Sequence, residues 1–315
     1  MTPPTAQSPT PSSIDYEELG RRLRAYRIGT SMLAEEVAAQ LGISRAALYR
    51  MEQGKIVKIE TLERLAEVLG TSMPSLLGVE VEYYPTALGF LERVRQIEEN
   101  AERIVAHFEP ISLLLASDGY LDYLRTMLME SSPATEAGRD PHREEVNGII
   151  NLLRERKATF SSRHPNIVSL IGLRELERFL ETGLVGTLSL DESVRQQRIL
   201  AARTEIERIA TLMENAPMNT QIALVEEAMP ATSFQLLTTP QRTTLAVSPF
   251  RLGEMPSIRN GIATITAAPE AVRLYEAMAK RLWQESLKGK TGAAQLRKLL
   301  KRTRDPISPT PGGMP

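Results

Sequence analysis

The fold class this sequence predicts is mainly α with an α+β C-terminal domain. Three observations predict it. Between Ile14 and Gly78, apolar residues recur at spacings of three and four and are cut by glycine stops, which makes a five-helix N-terminal module. From Pro85 onward the helical period resumes over most of the chain. Between Gln221 and Thr266 the period changes to two, so the helix-rich second domain should contain a small antiparallel sheet.

At 315 residues the chain is long enough for two domains. Residues 1–13 are Pro, Thr and Ser with almost nothing apolar, too little to offset ordering entropy, and read as a disordered arm. The expected boundaries are then 14–80 for the first domain and 86–303 for the second, with a disordered tail at 304–315.

Order should begin at Ile14. Asp15 and Glu18 have capping-box spacing, and Ile14 and Leu19 are placed as a hydrophobic staple. That helix runs to about Tyr26 and buries Leu19, Leu23 and Tyr26. Two short helices then flank a sharp turn. The first carries Leu33, Val37, Ala38 and Leu41 on one face, and Gly42 can take the left-handed conformation that ends it. Ser44 can cap the second, which buries Ala47, Leu48 and Met51 and stops at Gly54. Its outer face offers Arg45, Ala46, Tyr49 and Arg50. Such a helix can enter a DNA major groove, where arginine pairs bidentately with guanine O6 and N7. Arg45 and Arg50 are the expected base readers. Ala46 permits close approach, for instance to a thymine methyl. Ser44, Gln53, Lys55 and Lys58 are placed to hold phosphates.

The segment resembles the helix-turn-helix of Cro/CI-type (XRE) bacterial and phage regulators. Val37-Ala38, Gly42-Ile43-Ser44, Leu48 and Glu52-Gln53-Gly54 fill that family's pattern without a gap. Leu33 and Ala34 stand where the family has Ser/Thr-Gln, whose serine caps the helix and whose glutamine contacts the DNA backbone. The resemblance implies a λ-repressor-like five-helix module closing near Gly78, about a fifth of the chain. It also implies that Arg27 pairs with Glu52, locking the first helix to the recognition helix, and that the loop bearing Lys55 and Lys58 follows the phosphates.

Charge alone draws the protein to no partner. The net charge is −1, and nine cations face nine carboxylates between Ile14 and Gly78. Binding to double-stranded DNA therefore requires cations on the docking face and carboxylates behind it.

Beyond Pro85, the residues Ala87, Phe90, Val94, Ile97, Ala101, Ile104 and Phe108 form a heptad seam. One long helix there serves either a homodimer contact or internal packing. Ile111–Leu115 reads as a short strand or the start of another helix. Helices are expected over Tyr120–Met129, His142–Thr159, Leu170–Leu180 and Asp191–Met213, with a loop at Ser131–Pro141 and a turn at Ser161–Asn166. Strands are expected at Gln221–Glu226, Ser233–Thr238, Thr243–Val247 and Gly261–Thr266, with a hairpin turn at Thr239–Arg242. Helices from Pro269 and over Ala293–Arg302 complete the domain.

Catalytic chemistry finds little support. There is no cysteine, and His107, His142 and His164 fall on separate elements without metal-ligand spacing. Glycine-rich phosphate loops and nucleophile elbows are absent. The expectation is no enzyme, no metal and no cofactor. No apolar run approaches a membrane span, and the start lacks a signal segment, so a cytoplasmic protein with no membrane partner is expected. The loop from Ser248 to Gly261 combines rigid and polar residues with Arg251 and Arg259, which would suit a small anionic effector; an ordinary connection is the plainer reading. The basic run at Lys288, Lys290, Arg297, Lys298, Lys301, Arg302 and Arg304 either touches flanking DNA or is a solvated helix face. Together these readings describe a sequence-specific, DNA-binding transcription regulator, dimeric and effector-responsive through its second domain. The rival is an antitoxin-like regulator whose second domain binds a partner protein.

Overall fold

Asp15 opens the first helix, α1 (Tyr16–Gly29), by accepting the backbone N–H groups of Glu17 and Glu18 at 3.1 Å each. The computed structural model describes residues 15–303 except 31, 56–57, 80, 132–140, 188 and 254. The expected arm, the Ile14 staple and the tail lie outside the described residues, as does most of the Ser131–Pro141 loop.

Helices α2 (Ala34–Leu41), α3 (Arg45–Glu52), α4 (Ile59–Val68) and α5 (Met73–Leu77) follow, each bounded by local chemistry. Gly42 ends α2 at φ 68°, in the left-handed region. Ser44 Oγ caps α3 by accepting the Ala47 N–H at 3.1 Å. Leu33 has no side-chain acceptor to cap α2, and only the reciprocal half of a capping box is present: Glu36 Oε2 takes the Leu33 N–H at 2.7 Å.

The remaining elements in chain order are β1 (Val81–Tyr84), α6 (Ala87–Glu98), β2 (Arg103–His107), α7 (Asp118–Glu130), α8 (Pro141–Arg163), β3 (Asn166–Gly172), α9 (Leu173–Thr182) and α10 (Glu192–Asn215). Then come β4 (Thr220–Val225), β5 (Ser233–Thr238), β6 (Thr243–Ser248), β7 (Ala263–Thr266), α11 (Pro269–Glu285), β8 (Leu287–Lys288) and α12 (Gly289–Arg302). The expected α+β class holds, but the sheet is neither small nor purely antiparallel. It has eight strands in the order β1-β7-β6-β5-β2-β3-β4-β8, with β2, β3 and β4 parallel and the other pairings antiparallel. The parallel part arises because helix pairs carry the chain back between strands, α7–α8 from β2 to β3 and α9–α10 from β3 to β4.

The heptad seam is not one helix. α6 ends at Glu98, and Ile104 belongs to β2, a central strand. Arg103-Ile-Val-Ala-His pairs with β3 and β5 on its two sides, and that double ladder outweighs the helical spacing. Phe90, Val94, Ala101 and Ile104 are buried, so most of the seam is internal core. Leu170 also lies on a strand: β3 precedes α9, and the expected helix at Leu170–Leu180 starts only at Leu173. Ile111–Leu115 is a buried turn, and α8 continues through Arg163 where a turn was expected from Ser161.

The two sheet faces are covered unequally. One carries Ile104, Ile167, Ile171, Ile222, Leu237 and Ile265 into a core shared with α6–α10, α12 and the N-terminal module. The other carries Val168, Leu170, Phe234 and Leu245 against α11 alone. Among the described residues no helix is long and apolar enough to cross a membrane.

The N-terminal module is fastened to the sheet by charge as well as by apolar contact. Glu82 on β1 accepts from Arg22 of α1 at 2.7 Å, from Arg93 of α6 at 2.9 Å and from the Tyr84 hydroxyl at 2.7 Å. Arg93 also reaches Glu18 of α1 at 2.8 Å. All but Glu18 are buried. Burial by itself would raise the Glu82 carboxyl, but Arg93 and Arg22 beside it hold it down at about 2.

Candidate nucleic-acid interface

The turn between α2 and α3 aims α3 outward. Leu48 and Met51 hold it to the module's core, and Arg45, Ala46, Tyr49 and Arg50 are exposed. α1 lies close behind α3: Gly20 meets the backbone at the α3 C-terminus so tightly that a Cβ there would sit 2.6 Å from the Glu52 carbonyl oxygen. Arg27 of α1 grips Glu52 with two bonds, Nε to Oε1 at 2.5 Å and Nη2 to Oε2 at 3.1 Å. This fork fixes the tilt of α3 on α1.

Ion pairing sorts the module's cations. Arg21 meets Glu17 and Glu99, Arg22 meets Glu82, Arg24 meets Glu92 at 3.2 Å, and Arg27 meets Glu52. Arg45 is engaged within its own surface: Glu35 of α2 lies 2.5 Å away, and the Tyr49 hydroxyl accepts from it at 3.1 Å. The guanidinium also sits 5.2 Å from the Tyr49 ring centre, with that of Arg27 at 6.0 Å. Among the described residues the side chains of Arg50, Lys55, Lys58 and Arg64 have no partner. Three of them follow one another from the end of α3 into the connection to α4. Arg50, Lys55 and Lys58 are all exposed, as are Ser44 and Gln53. Ser44 uses a lone pair to cap α3, so its hydroxyl proton is left to donate.

Sequence reasoning missed Glu35. Its partner Arg45 lies ten positions away across the turn, and only the angle between α2 and α3 brings the two together. Half of the described cations of the basic run near the C-terminus, three of six, are occupied internally. Lys288 donates to the Trp283 carbonyl at 2.5 Å, Arg297 pairs with Glu207 and Glu214, and Arg302 pairs with Glu177. Arg304 lies outside the described residues.

The structure separates the two arginines of the 248–261 loop. Arg259 turns to Glu145 of α8 at 2.7 Å. Arg251 forms a backbone bridge with Ser257, and its side chain lines a cleft of about 180 Å³ beside Phe250, Phe90 and Glu175.

Comparison with known proteins bears on the N-terminal module. No curated protein matches the chain. Residues 18–77 match a family model described as a helix-turn-helix domain, and this span runs from the first turn of α1 to the end of α5. The N-terminal module is therefore a helix-turn-helix domain, as the resemblance to Cro/CI-type regulators implied.

Proposed function

We propose that the protein is a sequence-specific DNA-binding transcription regulator in which α3 reads the major groove of double-stranded DNA. The observation that carries this reading is the sorting of charge. The arginines behind α3 are neutralised by carboxylates, while Arg50, Lys55 and Lys58 stay unpaired along the edge a phosphate backbone would follow. Arg50 and Arg45 read base edges, with Ala46 and Tyr49 lining the contact. Ser44, Gln53, Lys55 and Lys58 hold phosphates.

Sites selected from random DNA, followed by binding measured over a range of salt, test this. Arg50→Ala should cost ~1–3 kcal/mol and relax preference at one base position. Lys58→Ala should weaken all sequences alike and reduce the salt slope by about 1. Unchanged selectivity in both Arg45→Ala and Arg50→Ala would refute this docking of α3.

Arg45 must exchange Glu35 for DNA when it binds. Because the pair is exposed, freeing Arg45 with Glu35→Gln should tighten operator binding only slightly. Weaker binding would mean that Glu35 orients Arg45 productively.

A single module makes few base contacts, so a homodimer on half-sites about 34 Å apart completes the reading. Since most of the 87–108 seam is interior, the contact between subunits lies elsewhere on the chain. Footprinting that shows a lone half-site occupied by a monomer would remove this part.

A further inference from the structure

The cleft beside Arg251 lies where β2 and β3 end and α9 begins. Its walls are apolar, from Phe90 and Leu91 of α6, Phe179 of α9 and Phe250 of the following loop. Two carboxylates and two guanidiniums interrupt them. Arg178 is already 3.6 Å from Glu109. Among the described residues the other two charges make no close ion pair. Glu175 Oε2 is buried and takes no hydrogen bond among the described residues. Arg251 is exposed and makes no hydrogen bond or close ion pair through its side chain among the described residues, its charge acting only at longer range on Glu109.

We propose that this cleft binds a small zwitterion, an ammonium and a carboxylate on an apolar body as in an apolar α-amino acid, and that its occupancy is felt by the helix-turn-helix domain. The coupling rests on the DNA-binding reading above; the binding does not. The ammonium donates to Glu175 and the carboxylate meets Arg251, while the apolar body sits among the phenylalanines. An anion alone would face two carboxylates, and a cation alone would leave Arg251 without a close ion pair. Burial, and to a lesser extent the neighbouring Glu175, raise the Glu109 carboxyl more than Arg178 and Arg251 lower it, and an ammonium beside the two carboxylates would favour their charged forms. A cleft of about 180 Å³ admits a molecule of this size.

A file of aromatic rings leads from the cleft to the DNA-reading module. Phe250 lies 6.4 Å from Phe90, Phe90 lies 6.5 Å from Tyr84, and Tyr84 stacks on Tyr26 of α1 at 4.7 Å with the rings 11° from parallel. Phe90 thus touches both the ligand space and the seat of α1. A ligand that favours one placement of Phe90 favours one placement of α1, and through the Arg27–Glu52 fork one placement of α3.

Calorimetry on the full chain without DNA tests the site, with L-phenylalanine and L-leucine as probes. Saturable binding is expected for at least one. 2-Phenylethylamine and 3-phenylpropionate, which each keep one charge, should bind at least tenfold more weakly. Glu175→Gln and Arg251→Ala should each weaken the better probe at least tenfold. Absence of saturable binding at millimolar probe overturns the proposal, as does equal binding of 3-phenylpropionate. Operator affinity is then measured with and without saturating probe, and a change of at least fivefold is expected. Binding without any such change overturns the coupling. A chain that binds no DNA would sink the regulator reading while the calorimetry still decides the cleft.

Discussion

Glu82→Gln should lower the stability of the chain by about 3–5 kcal/mol, because it leaves two buried guanidiniums without their shared carboxylate. Arg22 comes from α1, Glu82 from β1 and Arg93 from α6, so this cluster joins the helix-turn-helix domain to the sheet. Arg93 is only 1% exposed and cannot turn to water. Glutamine keeps the shape and one carbonyl acceptor, which isolates the charge. Urea unfolding monitored separately on each half should show the N-terminal module loosening first. The same carboxyl makes the wild type acid-sensitive. Its folded value of about 2 lies below its ordinary 4.5, so its contribution is fully present above pH 4.5 and is lost as the pH falls toward 2. The variant should lack this part of the acid transition. Equal stability of the two proteins at pH 7 would mean that the Glu82 charge contributes nothing net.

Gly20→Ala should damage both folding and DNA binding. The added Cβ would stand 2.6 Å from the Glu52 carbonyl oxygen and the Gly54 nitrogen, and 2.7 Å from the Met51 carbonyl oxygen. All three are backbone atoms at the end of α3, so no side chain can swing aside. α1 and α3 must separate, at a cost of about 1–3 kcal/mol or more. The shift also moves Arg50 and weakens the Arg27–Glu52 fork, so operator affinity should fall further than the loss of stability explains. Gly119→Ala in α7 is the matching control, because the nearest atom to its Cβ would be Ser117 Oγ at an ordinary 3.7 Å. There alanine should be neutral or slightly stabilising, since it removes freedom from the unfolded chain. If Gly20→Ala behaved like that control, the close seat of α1 on α3 would be wrong.

The helix-turn-helix domain was legible because its signals are local. Gly42 and Gly54 stop helices by their own backbone freedom, Ser44 caps its own helix, and the spacing of Val37, Leu41, Leu48 and Met51 names the buried faces. The exposed set Arg45, Ala46, Tyr49 and Arg50 follows from the same period. Strands β2 and β3 were not legible. Ile167-Val168-Ser169-Leu170-Ile171 is apolar without alternation because both sheet faces are covered there, and a short run of that kind has no period to read. Its β-branched residues, between Pro165 and Gly172, were the available signal. Composition and spacing carried the number of charges but not their partners. Arg22 and Glu82 are 60 positions apart, Arg259 and Glu145 are 114 apart, and Glu35 met Arg45 only through the angle of a turn. Periodicity is a property of neighbours along the chain, so the amino-acid order carried the helices of the N-terminal module and most of their buried faces, although Leu33, placed by its period on the inner face of α2, is exposed. Pairing and burial of charge depend on which distant segments arrive together, and the fold chose which arginines were spent internally and which three cations were left facing outward beside α3.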